Sequence, residues 1–189
     1  IKSGGTVVKN VTGYDLSKLV AGSFGTLVAL TEITLKVLPK KKLSNTITIH
    51  TENTKLVNEL FEKISGSSQE ISGAVFIPEE PEDKSYDHNK EMVFKFNDLK
   101  SKGSFLALRI EGDKISIDEK IKALTDELSL DKLNSTILDF YQSVPFWKKI
   151  NNLELFKTTK NNLLRVVIPP SKGNKLMQYL SNKYKYYVD

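Results

Sequence analysis

The chain has 189 residues, of which 39% are hydrophobic and 27% charged, with no cysteine and a formal net charge of +5. A chain of this length buries roughly 70% of its unfolded surface, and the composition excludes intrinsic disorder, collagen-like repeats and a coiled-coil rod. Without cysteine there is no disulfide framework, zinc finger, iron–sulfur cluster or thiol nucleophile within these residues.

Of 28 basic residues only Arg109 and Arg165 are arginine, and the lysines are scattered among acids except for Lys40-Lys41-Lys42. Base-reading proteins rely on arginine forks and a clustered basic face, so nucleic acid is not an expected partner. Apolar runs are broken every few residues, and no membrane span is expected. The first residue is Ile1, in what reads as a strand-turn element, and Tyr184 to Val188 reads as a strand just beginning. The chain is therefore read as an internal piece of a longer protein.

In chain order, Val7-Val8 reads as strand, and Asp15 caps a short helix Leu16 to Ala21 that ends at Gly22. Ile33, Leu35 and Val37 alternate as a strand stopped by Pro39. After the lysine run, Ile47 and Ile49 alternate with polar residues in a strand. Leu56, Val57, Leu60, Phe61 and Ile64 share one face of a helix over 54–65. Ala74 to Ile77, Met92 to Phe96 and Phe105 to Ile110 read as strands, with Pro78 to Lys90 as a surface loop. Ile115, Ile117, Ile121, Leu124 and Leu128 form a second helix stripe. Thr136 to Phe140 and Leu163 to Ile168 read as strands, and Gly173 to Tyr184 as a helix. The pattern predicts an α+β fold: two βαβ-like units in a sheet with helices on one face, of the ferredoxin-like kind. The boundary is placed at the lysine run, giving units 1–42 and 43–189, the second truncated at its C-terminus.

Half of the ten glycines lie in the first 25 residues. Gly13, Gly22 and Gly25 lack Cβ and stand beside the hydroxyls of Thr12, Ser23 and Thr26, so backbone N–H groups there can approach an anion or a planar ring. That suits a phosphate-bearing cofactor, and turn or cap glycines are the alternative.

The block Lys9-Asn-Val-Thr-Gly-Tyr-Asp-Leu16, with Leu19, then Gly22-Ser-Phe-Gly-Thr-Leu27 and Thr31-Glu-Ile-Thr-Leu-Lys36, resembles the second half of the FAD-binding domain in the PCMH-type (vanillyl-alcohol-oxidase) flavoproteins. Within that superfamily it is most similar to the FAD-binding subunits of bacterial glycolate oxidase, over residues 4–39. The resemblance implies a C-terminal part of a PCMH-type FAD-binding domain followed by a ferredoxin-like α+β cap. It further implies FAD as cofactor and flavin-dependent oxidation of glycolate, a 2-hydroxy acid, to glyoxylate. The implied partners are a second flavoprotein subunit and an iron–sulfur subunit, in the cytoplasm or peripheral at the inner face of the cell membrane.

Carried over by position, Asn10, Thr12, Gly13 and Tyr14 would lie along the flavin, Gly22, Ser23, Gly25 and Thr26 against the diphosphate and ribose, and Leu30 and Thr31 at the adenine end. Two residues depart from the pattern: Phe24 stands where many catalytic relatives have Glu, and Val28 where they have Gly. The upstream Gly-rich diphosphate loop of the family is absent from this sequence. So is the His-x-His and Gly-Asp-Gly-Asn-x-His metal pair of the catalytic relatives' cap.

His50 and His88 have no partner histidine for metal binding. Phe140-Tyr141, Phe146-Trp147 and Tyr184 to Tyr187 read as core or interface before pocket lining, and Arg109 and Arg165 as sheet-face residues before carboxylate ligands. Two alternatives stand beside the catalytic reading: a non-catalytic accessory FAD-fold subunit that binds partner subunits, and a plain α+β interaction module.

Overall fold

The computed structural model describes residues 3–7, 9, 13–79, 103–156, 163–180, 186 and 188. The chain divides into two units, Ile1–Lys40 and Lys41–Asp189.

The first unit contains one regular element, α1 (Leu16–Val20). Asp15 caps it: its carboxylate accepts from the Lys18 amide at 3.2 Å and pairs with Lys18 Nζ at 2.9 Å. That hydrogen bonding to Lys18 holds the Asp15 carboxyl below the usual carboxylate range. No described residue of this unit is buried. The expected strand over Ile33 to Val37 does not form, and Leu35 and Val37 are exposed. Val7 likewise lies in a bend, and Val8 is outside the described residues. Alternating side chains make a strand only where a second strand takes up the backbone N–H and C=O groups, and among the described residues this unit supplies none.

The second unit holds β1 (Leu43–His50), α2 (Thr54–Gly66), β2 (Gly73–Ile77), β3 (Phe105–Gly112), α3 (Lys114–Leu128), β4 (Ser135–Leu138), α4 (Phe140–Asn151) and α5 (Pro170–Leu180). The sheet is four-stranded in the order β2-β3-β1-β4, with every neighbouring pair antiparallel. The connectivity β1-α2-β2-β3-α3-β4 in that order is a split βαβ arrangement, and the fold is α+β as expected. Asn53 and Asp113 cap α2 and α3 through their side chains.

One sheet face presents Ile47, Ile49, Phe76, Leu106, Leu108 and Ile110 to Val57 and Leu60 of α2, Ile117, Leu124 and Leu128 of α3, and Met177 of α5. Each such side chain, fully buried, contributes roughly 1.5–3 kcal/mol. Ile115, expected in the α3 stripe, lies in the first turn and is exposed.

The other face corrects the expectation of helices on one side only. Val75, Ile77, Phe105 and Ala107 pack against Phe146, Trp147 and Ile150 of α4, so the sheet is covered on both faces. The strand expected over Thr136 to Phe140 stops at Leu138, because Asp139 opens α4 with a capping box: its carboxylate takes the Gln142 amide at 3.0 Å, and its own amide donates to Gln142 Oε1 at 3.3 Å. Pro145 costs α4 one backbone hydrogen bond, and the burial of Phe146, Trp147 and Ile150 just beyond it offsets the loss.

Leu163 to Ile168 forms no strand, and the expected helix from Gly173 begins earlier, at Pro170. Met92 to Phe96, the loop beyond Glu79, His88 and Tyr184 lie outside the described residues. Val188 makes an isolated antiparallel bridge to Phe76.

Candidate functional site

The glycine-rich segment folds as two consecutive turns after α1. The Ser23 amide donates to Val20 O at 3.1 Å, with Ala21 at φ −61°, ψ 124° and Gly22 at φ +79°. That is a type II turn, whose third position requires positive φ and so favours glycine. The Thr26 amide then donates to Ser23 O at 3.0 Å, with Phe24 at φ +51° and Gly25 at φ +76°. Positive φ at both central positions is the type I′ pattern. Thr26 Oγ1 donates to the same Ser23 carbonyl at 2.7 Å and stiffens this second turn.

A bulky residue in the left-handed region is strained by about 1–2 kcal/mol, and Phe24 is there while its side chain is 98% exposed. Nothing in the described chain rewards that strain. A Cβ built on Gly22 or Gly25 meets no atom within 4 Å, so the glycines answer to backbone conformation and their open side is free to approach another group. Among the described residues the amides of Phe24 and Gly25 have no partner, and adjacent turn amides of this kind suit an anion.

Of the residues expected to touch the cofactor, Gly22, Ser23, Gly25 and Thr26 come together in this double turn. Gly13, at φ +77°, and the exposed Tyr14 lie at the other end of α1. Leu30 and Thr31 lie in exposed chain without regular structure. Asn10 and Thr12 are outside the described residues. The donor chemistry of the double turn fits a diphosphate or ribose along one wall, and the described residues of this unit supply that one wall only.

In the second unit, Arg109 is held within the protein. Its Nε donates to Ser72 Oγ at 3.1 Å and its Nη2 to Ser72 O at 2.8 Å, Glu111 lies 3.6 Å away, and the guanidinium sits 5.0 Å from the Trp147 ring centroid. Arg165 is exposed. Phe146 and Trp147 are core residues and Tyr141 is exposed. Ser143, which no sequence motif singles out, is buried and bonds Ser44 Oγ at 3.0 Å and Thr46 Oγ1 at 2.7 Å. His50 faces Phe105 at 5.8 Å, its Nδ1 is buried without a partner, and burial pushes its pKa down. No group of three metal-ligating side chains occurs among the described residues, and no helix there is long and apolar enough to cross a membrane.

No protein-family model matches the chain. Individual proteins do. The resemblance read from residues 4–39 is borne out, because the chain shares sequence with FAD-linked oxidoreductases, among them one of Mycobacterium tuberculosis that is 48% identical over 40 residues. More particularly it is similar to glycolate oxidase subunits: 57% identical over 44 residues to subunit GlcE of Escherichia coli, and 36% identical over 75 residues to subunit GlcD of Bacillus subtilis. These stretches are 23% and 40% of this chain, and 13% and 14% of the two relatives. A D-lactate dehydrogenase of Anaerostipes hadrus is 47% identical over 53 residues, 28% of this chain and 11% of that protein. The matched stretches thus span about a seventh or less of these relatives.

Proposed function

We propose that this chain is part of an FAD-dependent oxidoreductase that oxidises glycolate or a related 2-hydroxy acid, serving as an FAD-binding subunit beside a second flavoprotein subunit and an iron–sulfur subunit. The observation that carries the reading is the double turn from Val20 to Thr26, with left-handed backbone at Gly22, Phe24 and Gly25 and open space at both glycines. This turn lies in the glycine-rich block whose sequence resembles the flavoprotein pattern. When bound, FAD supplies the two-electron acceptor. This chain's part is to hold it: amides of the double turn and the Ser23 and Thr26 hydroxyls toward the diphosphate and ribose, Asn10, Thr12, Gly13 and Tyr14 toward the flavin, and Leu30 and Thr31 toward the adenine. Residues 1–42 are then the end of the FAD-binding domain and 43–189 an α+β cap, working in the cytoplasm or at the inner face of the cell membrane.

Phe24 favours a second reading, a non-catalytic accessory subunit that keeps the FAD fold and binds partner subunits. It presents an exposed aromatic ring where many catalytic members of the resembling family carry a carboxylate. Turnover of glycolate by the purified full-length protein without other subunits supports the catalytic form, and flavin binding without turnover supports the accessory form. Absence of bound flavin from the full-length protein overturns both.

A further inference from the structure

We draw no further inference here: the strongest candidate, the exposed apolar side chains Leu27, Leu30, Ile33, Leu35 and Val37 on the surface of the first unit, carries no proposal because nothing in the structure shows what covers them.

Discussion

Trp147 Nε1 donates a 2.9 Å hydrogen bond to Thr46 Oγ1, joining α4 to β1 beneath a sheet face where both residues are buried. Thr46 also bonds Ser143, and the Trp147 ring lies against both Arg109 and Gly73. Thr46→Val keeps the shape and removes the acceptor, leaving a buried indole N–H unsatisfied. The expected loss is about 1–3 kcal/mol. Adding Trp147→Phe removes the orphaned donor, so the double variant should fall well short of the sum of the single losses. Urea unfolding followed by circular dichroism measures all three.

Gly73 is required by that same ring. A Cβ there would sit 3.2 Å from Trp147 Cζ3 and 3.4 Å from Arg109 Nε. Because Thr46 pins the indole and Ser72 pins the guanidinium, neither can retreat cheaply. Gly73→Ala is expected to destabilise by about 1–3 kcal/mol, although alanine at an ordinary strand position is favourable relative to glycine. An unchanged urea midpoint would show that the ring has room.

The capping box of α4 predicts a smaller effect. Asp139→Ala removes the acceptor for the Gln142 amide and is expected to cost about 1 kcal/mol, with Asp139→Asn nearly neutral. Chemical denaturation of the two variants side by side checks the difference.

His50 makes stability depend on pH. Burial lowers its folded pKa, so the unfolded chain takes up the proton first as pH falls. Its contribution is fully present above the ordinary histidine value, about 6.5, and is lost as pH falls from there toward the depressed folded value. His50→Gln should flatten this part of the profile relative to the unmodified protein. Denaturant midpoints from about pH 7.5 to about pH 5, the span over which an ordinary histidine changes charge, test it in both proteins, and parallel profiles would remove His50 as the source.

Gly25→Val separates conformation from contact in the glycine-rich segment. The left-handed φ disfavours any β-branched residue, and the open side of Gly25 is where a bound group would approach. In the full-length protein the variant is expected to lose flavin with helix content unchanged. Purification with stoichiometric FAD would make Gly22 to Thr26 a structural turn.

Local rules were enough for much of the second unit. The alternation at Ile47 and Ile49, the helix stripe from Leu56 to Ile64 and the strands at Ala74 to Ile77 and Phe105 to Ile110 were legible because they depend on spacing alone. The cap at Asp15 was legible too, since it depends on hydrogen bonds within three residues. The identity of the glycine-rich block could also be read, since its residues resemble a known family's pattern position by position.

Other features were decided only in three dimensions. α4 was hidden by Pro145 and by aromatic residues that favour strands, and it exists because Phe146, Trp147 and Ile150 bury against the second sheet face. Arg109 reads in sequence as a sheet-face residue, and only the fold shows Ser72 and Trp147 enclosing its guanidinium. Ile33 to Val37 and Leu163 to Ile168 carry strand composition without a strand, because a strand is completed by its neighbour's backbone and composition cannot supply the neighbour. Periodicity determines which side of an element is apolar, whereas packing determines whether anything lies against it.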